Sequence, residues 1–265
     1  MSTPTDPYAA DLALALKLAD IGDRLAMQHF RDAELVIETK PDFTPVTEAD
    51  RGVERALREE LARQRPSDSI IGEEYGTDGT GVRKWVLDPI DGTKNYVRGV
   101  PVWAVLIGLM EGDDIVVGVV SAPALARRWW AHTGGGAFAT DPSSSVPRRL
   151  TVSGVRSIED ASFSYSDDRG WDTRGADNAL RTLTRDAWRT RAYGDFWSHM
   201  MVAEGVIDIA AEPELENYDM AALVPVVREA GGMLTAYDGG SALAGGSALS
   251  TNGLLHQTVL DLIAD

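Results

Sequence analysis

The chain has 265 residues, enough for one large domain or two smaller ones, and 44% of them are hydrophobic, so it can bury a core. Its formal charge of −16, from 41 acidic against 25 basic residues, argues against a nucleic-acid or anionic-membrane binder, whose surfaces are usually basic. There is no cysteine, which excludes disulfides, thiolate catalysis and thiolate zinc sites. The four histidines, His29, His132, His199 and His256, are widely spaced and form no ligand motif; each reads as a surface or packing residue. A metal site must therefore use oxygen ligands, which favours magnesium, manganese or calcium. The N-terminus lacks a basic region followed by an apolar run, and no apolar stretch is long enough to span a bilayer, so a cytoplasmic protein is expected.

Asp6-Pro7 reads as a helix start, and Leu14, Leu18, Ile21 and Leu25 follow at helical spacing. Two prolines over 40–45 predict a loop. Thr47-Glu48-Ala49-Asp50 opens a second helix with the face Val53, Leu57 and Leu61, ending before Pro66. Asp50, three residues after Thr47, fits a variant capping box or support for a nearby site, and one carboxylate can serve both. Ser69-Ile70-Ile71 is a short strand leading into Gly72-Glu73-Glu74, where a solvated acidic pair is the plain reading. The runs 103–109 and 115–120, split by Glu111-Gly112-Asp113-Asp114, predict a hairpin, and 127–131 a further strand before a glycine turn at 134–136. The first half thus reads as α+β: two helices, then a mainly antiparallel sheet.

The stretch 141–147 is the best linker, giving domains over 1–145 and 146–265. Beyond it, strands at 161–164, 206–210, 233–237 and 247–250 alternate with helices over 177–185, through Phe196 and Ala203, from Asp219 to Gly231-Gly232, and over 254–263. That alternation implies an α/β half with a mixed or parallel sheet.

The chemistry concentrates at Asp88-Pro89-Ile90-Asp91-Gly92-Thr93, which follows the apolar strand Trp85-Val86-Leu87. Pro89 stiffens the chain between two carboxylates, and Gly92 lets the backbone pass close to a ligand. Free amides at Gly92 and Thr93, at the start of a following turn or helix, suit an anion. Carboxylates that hold hard cations would then stand beside donors that hold phosphate, as metal-assisted phosphoryl hydrolysis needs. The same string also occurs as a plain turn after a strand.

Three blocks, in order and at suitable separations, resemble the inositol-monophosphatase superfamily of magnesium-dependent, lithium-sensitive phosphatases. They are Gly72-Glu73-Glu74, then Asp88 to Thr93, then Tyr218-Asp219-Met220-Ala221-Ala222 running into Glu229-Ala230-Gly231-Gly232. The family usually has tryptophan before the last aspartate, where this chain has Tyr218. The resemblance implies a layered αβαβα fold, homodimers, and hydrolysis of a small phosphomonoester by a water activated at two or three magnesium ions, with manganese a substitute. It implies Glu73, Asp88, Asp91, Asp219 and the Ile90 carbonyl as metal ligands, with Thr93 and Asp50 orienting the water. Asp219 read without it is an acidic helix start.

The substrate would be held by Asp91, Gly92, Thr93 and Asp219, and chosen by Arg191, Gly194, Asp195 and Glu212. The stretches 95–103, 121–130 and 191–196 closely resemble the bacterial histidinol-phosphate phosphatase branch of this superfamily. That substrate carries an ammonium and an imidazole, which Asp195 and Glu212 could pair with. Asp195 as a mere helix cap is the plain alternative. An inositol-1-phosphatase or broader sugar-phosphate phosphatase is the alternative substrate reading. A catalytically silent metal- or phosphate-binding protein is the alternative of another class.

Overall fold

The computed structural model describes residues 6–39 and 45–265, so the loop expected over 40–45 lies, up to its last residue, outside the described residues. Asp6 turns the chain by accepting a hydrogen bond from the Tyr8 N–H at 3.0 Å, and α1 (Ala9–His29) starts only after that turn, later than Asp6-Pro7 suggests. Its buried side is Leu14, Ala15, Leu18, Ala19, Gly22 and Ala26, while Ile21 and Leu25 are half-buried. Small residues win that face because α1 lies close on the sheet: a Cβ on Gly22 would stand 2.9 Å from Val105 Cγ1. β1 (Ile37–Thr39) and β2 (Pro45–Thr47) form a small antiparallel ribbon that leads into α2 (Glu48–Gln64). Thr47 and Asp50 make the expected capping box, and Val53, Leu57 and Leu61 are buried.

The strands that follow are β3 (Ser69–Gly72), β4 (Gly76–Asp78), β5 (Arg83–Asp91), β6 (Ala104–Glu111), β7 (Asp114–Ala122), β8 (Arg127–His132), β9 (Gly136–Asp141) and β10 (Ser144–Arg149), with the short α3 (Thr93–Val97) after β5. They form one sheet in the order β10-β9-β8-β7-β6-β5-β3-β4, antiparallel except for β3 beside β5. The expected linker is thus corrected. Its second part belongs to β10, an edge strand on β9 whose register is irregular between Ser144 and Arg148, and a sheet edge tolerates Pro147. Strand alternation sends Trp85 and Leu87 to the α1–α2 face and Val86 to the other.

A second sheet has the order β12-β11-β13-β15-β14, built from β11 (Ser162–Ser164), β12 (Arg189–Arg191), β13 (Ile209–Glu212), β14 (Met233–Thr235) and β15 (Ala248–Thr251). β11 runs parallel to β12 and β13, and the remaining pairs are antiparallel, so the sheet is mixed. Helices α4 (Asp177–Asp186) and α9 (His256–Ala264) share a core with Phe163, Ile209 and Leu249 on its outer face. The layer between the sheets holds α5 (Asp195–Ala203), α6 (Asn217–Ala221) and α7 (Leu223–Glu229), with Phe196, Met200, Met220 and Val226 against Val86, Leu106 and Trp129. A short α8 (Ala242–Gly245) sits between β14 and β15. The result is a layered αβαβα sandwich. The helix expected to open at Asp219 is instead two, with Asp219 inside α6 and the break before Leu223.

That middle layer touches the first sheet at two glycines paired across strands, Gly108 on β6 and Gly118 on β7. A Cβ on Gly118 would stand 2.2 Å from the Ala222 carbonyl oxygen, and one on Gly108 2.9 Å from the Ala221 Cβ. Gly118→Ala is expected to cost about 1–3 kcal/mol by overpacking. Gly52→Ala, in α2 with open space around it, is expected to add about 0.5–1 kcal/mol. Urea unfolding of the two variants beside the wild type checks both signs.

Candidate active site

β5 ends at the carboxylates. In a regular strand, residues three apart face opposite sides, so Asp88 and Asp91 would diverge. The ladder with β6 slips between them, from Asp88 opposite Leu106 to Asp91 opposite Ala104. Pro89 has no N–H for the ladder, and the extra residue of this bulge returns both carboxylates to one point. One oxygen from each of Asp88, Asp91 and Asp219 lies within 4.8 Å of the others. The Ile90 N–H donates to Asp88 Oδ1 at 3.0 Å, and the Phe196 N–H, from α5, donates to Asp91 Oδ2 at 3.0 Å. Asp219 Oδ2 accepts from the Glu216 N–H at 2.7 Å, so Asp219 both caps α6 and joins the cluster. Glu73 follows β3, its N–H donating to the Leu87 carbonyl at 3.3 Å, and its charge acts on all three aspartates.

Burial, and then the neighbouring carboxylates, push Asp88 and Asp91 well above the usual carboxylate range. Burial pushes Asp219 up to about 7. Such a set is unfavourable as anions and fits a cation of charge two, which reverses the local balance. The donors are all oxygen, with the Ile90 carbonyl beside them, and that is the ligand chemistry of a hard cation. The Ile90 oxygen accepts from the Thr93 hydroxyl at 3.0 Å and keeps a second lone pair.

Thr93 begins α3 after Gly92, whose φ of 81° ends the strand. The amides of that first turn have no acceptor within the helix. Asp50 is shared between two tasks. Its Oδ2 accepts from the Thr47 N–H at 2.8 Å and from the Thr47 hydroxyl, while its Oδ1 lies 3.4 Å from the Thr93 hydroxyl. Burial pushes it up to about 6, against the Thr47 hydrogen bonds.

A cavity of about 370 Å³ extends from Asp91 and Asp219 toward the second sheet, walled by Lys94, Ser166, Asp195, His199 and Glu212. It adjoins a wider cleft at Glu73, Gly92, Thr93 and Gly194. Asp195 does not cap α5 with its side chain; its Oδ2 accepts from the Asn95 amide at 2.9 Å. Burial raises it to about 6, with Lys94 acting against and Asp167 adding. Glu212 is buried and accepts from the Ser166 hydroxyl; burial pushes it up to about 8 despite that bond. Arg191 is not brought in: it is exposed on edge strand β12, its guanidinium on the Thr190 carbonyl, and lines neither cavity. The structure also adds residues that sequence reasoning missed. Lys94 directly follows the Asp88 to Thr93 motif. Asn95 opens one of the stretches that carry the branch resemblance, whereas Ser166 offered no signal, because its partners lie 29 and 46 residues away. Of the two roles open to His199, surface or packing, it takes the buried one, and burial holds it neutral, at about 4, with Nδ1 on Ser250 Oγ at 2.7 Å.

The family model described as "Inositol monophosphatase family" matches residues 9–264. A protein named histidinol-phosphatase from Streptomyces coelicolor is 55% identical over 257 residues, 96% of this chain and 96% of its own. One of the same name from Mycobacterium tuberculosis is 56% identical over 252 residues, 94% of this chain and 96% of its own. The solved Thermotoga maritima IMPase superposes with a TM-score of 0.84 at 29% identity, over 96% of this chain and 97% of that one.

The raised acids set a pH dependence. Each holds its proton in the folded chain where the unfolded chain, near its ordinary value of about 4, has lost it. Their stabilising effect is complete below that value and is lost as pH rises through about 7 for Asp219 and about 8 for Glu212. In chelator, the melting temperature should therefore fall between about pH 6.5 and 8.5, above the range where buried His199 titrates. Added magnesium should raise it and remove the Asp219 part of the slope. Thermal melts across that window check this; a flat or rising trend in chelator contradicts it.

Proposed function

The chain belongs to the inositol monophosphatase family, and from that membership we propose that it is a magnesium-dependent phosphatase that hydrolyses L-histidinol phosphate. Asp88, Asp91, Asp219, Glu73 and the Ile90 carbonyl would hold two or three magnesium ions, with manganese able to substitute. Ions bound there supply charge neutralisation at the phosphoryl group and a lowered pKa for water.

The chain's own groups do the rest. The amides at Gly92 and Thr93 receive phosphate oxygens. The Thr93 hydroxyl, held by Ile90 and Asp50, uses its lone pairs to orient the attacking water in line with the leaving oxygen. Asp50, raised to about 6 by burial, is matched to take up that water's proton near neutral pH by way of Thr93, whose hydroxyl gives its own proton to Asp50 Oδ1 as it receives the water's.

The observation that carries the substrate is the pair Asp195 and Glu212 on the wall of the cavity that begins at the aspartate cluster. L-histidinol phosphate presents an ammonium and an imidazole beyond its phosphate, and these pair with carboxylates. Inositol phosphate presents hydroxyls and would leave buried acids without a cation. The two relatives above bear the matching name. The same reading places the enzyme in histidine biosynthesis in the cytoplasm and expects a homodimer. It also takes the sheet β10–β4 and the sheet β12–β14 as the cores of two domains, with the site where they meet.

Two measurements check this. Phosphate release from L-histidinol phosphate should exceed that from inositol-1-phosphate by about 100-fold in kcat/KM, with magnesium and not with chelator. Equal rates, or preference for inositol-1-phosphate, would keep the metal site and overturn the substrate. Asp88→Asn should lower kcat by at least about 10³-fold. Retained turnover refutes the ligand set.

A further inference from the structure

Ser166 lies just beyond β11, and its side chain stands between the two carboxylates assigned to the substrate. Its hydroxyl oxygen accepts from the Asp195 N–H at 2.9 Å, and its one proton goes to Glu212 Oε1. It lines the cavity with both. Among the described residues, this hydroxyl is the single group bonded to both. We propose that Ser166 is a positioning residue that joins Asp195 and Glu212 into one cation-recognising unit; this rests on the reading that they receive a cationic substrate.

Backbone geometry supports the assignment. Asp195 has φ +51°, directly after Gly194 at φ +81°. A left-handed aspartate costs free energy unless its surroundings hold it. Besides the Gly194 N–H, which donates to Ser198 Oγ at 3.0 Å, three bonds hold this segment. Ser166 takes the Asp195 N–H, Asn95 donates to Asp195 Oδ2 at 2.9 Å, and the next residue, Phe196, donates its N–H to Asp91 Oδ2. Asn95 is itself anchored, its amide also donating to the Val102 carbonyl at 2.9 Å. Each recognition carboxylate thus has one oxygen engaged by the protein. Asp195 Oδ1 and Glu212 Oε2 accept no hydrogen bond among the described residues, which leaves one oxygen of each for a ligand. Without the Ser166 hydroxyl, the Asp195 N–H loses its acceptor, Glu212 loses its donor, and the two carboxylates are no longer held in register.

The test compares Ser166→Thr, which keeps the hydroxyl, with Ser166→Val, which has nearly the same shape and lacks it, and with Ser166→Ala. Steady-state kinetics are run with magnesium on L-histidinol phosphate and on inositol-1-phosphate, with melting temperatures recorded alongside. Ser166→Thr should keep the wild-type preference. Ser166→Val and Ser166→Ala should raise KM for L-histidinol phosphate about tenfold, the effect of one charge-assisted hydrogen bond, while kcat moves less than about threefold. The preference between the two substrates should shrink by about the same factor, since the loss falls on the cationic ligand. KM that is unmoved in Ser166→Val and Ser166→Ala, or that rises equally for both substrates, overturns the role of Ser166 alone. A wild type that does not prefer the cationic substrate overturns the reading of the cavity, and the role of Ser166 with it.

Discussion

The contact between the α6–α7 segment and strands β6 and β7 sets the rest of the molecule. Gly108 and Gly118 face one another across the ladder, and neither has a side chain to keep Ala221 and Ala222 away. The helical layer therefore rests directly on the sheet. Asp219, two residues before Ala221, is carried to the end of β5, where Asp88 and Asp91 already converge. A larger residue at either glycine would lift this segment and separate the third carboxylate from the other two. The same layer carries Phe196, whose N–H fixes Asp91, so one packing interface sets two corners of the site.

What that contact assembles is electrostatically costly. Asp88, Asp91 and Asp219 are raised by burial, the first two also by neighbouring aspartates, and the charge of Glu73 acts on all three. Clustered carboxylates of this kind suit a divalent cation, and the family to which the chain belongs consists of phosphatases. The net charge of −16 does not exclude an anionic substrate, because a divalent cation held at the cluster would reverse the local field there. Farther along the cavity, Asp195 and Glu212 extend the acidic wall, Asp195 acting on Asp91 and Asp219 on Glu212.

Much of this was legible from residue order. The capping box at Thr47 and Asp50, the hairpin of β6 and β7, and the alternation of strands and helices in the second half follow from local periodicity and turn chemistry. Local rules failed where tertiary pairing overrode them. The proline- and serine-rich stretch over 141–147 reads as a linker, yet part of it pairs as an edge strand, because an edge needs fewer of the N–H groups that proline lacks. The single helix expected from Asp219 breaks before Leu223. Arg191 stands in a segment that borders the cavity, but its strand is an edge and its side chain lines neither cavity.

The sequence by itself determined which metal chemistry is open to the chain. An absent cysteine, scattered histidines and an Asp-Pro-x-Asp-Gly-Thr string leave oxygen ligands, with glycine and threonine amides within a few residues of chain. Those relations are short-range, so they are written in order. Only the tertiary structure decided that Asp88 and Asp91 share a face, since that depends on a ladder slip against β6. Only the tertiary structure joined Asn95 to Asp195 and Ser166 to Glu212, 100 and 46 residues apart. Hydrogen bonds of such span are fixed by how layers pack, and no local periodicity records them.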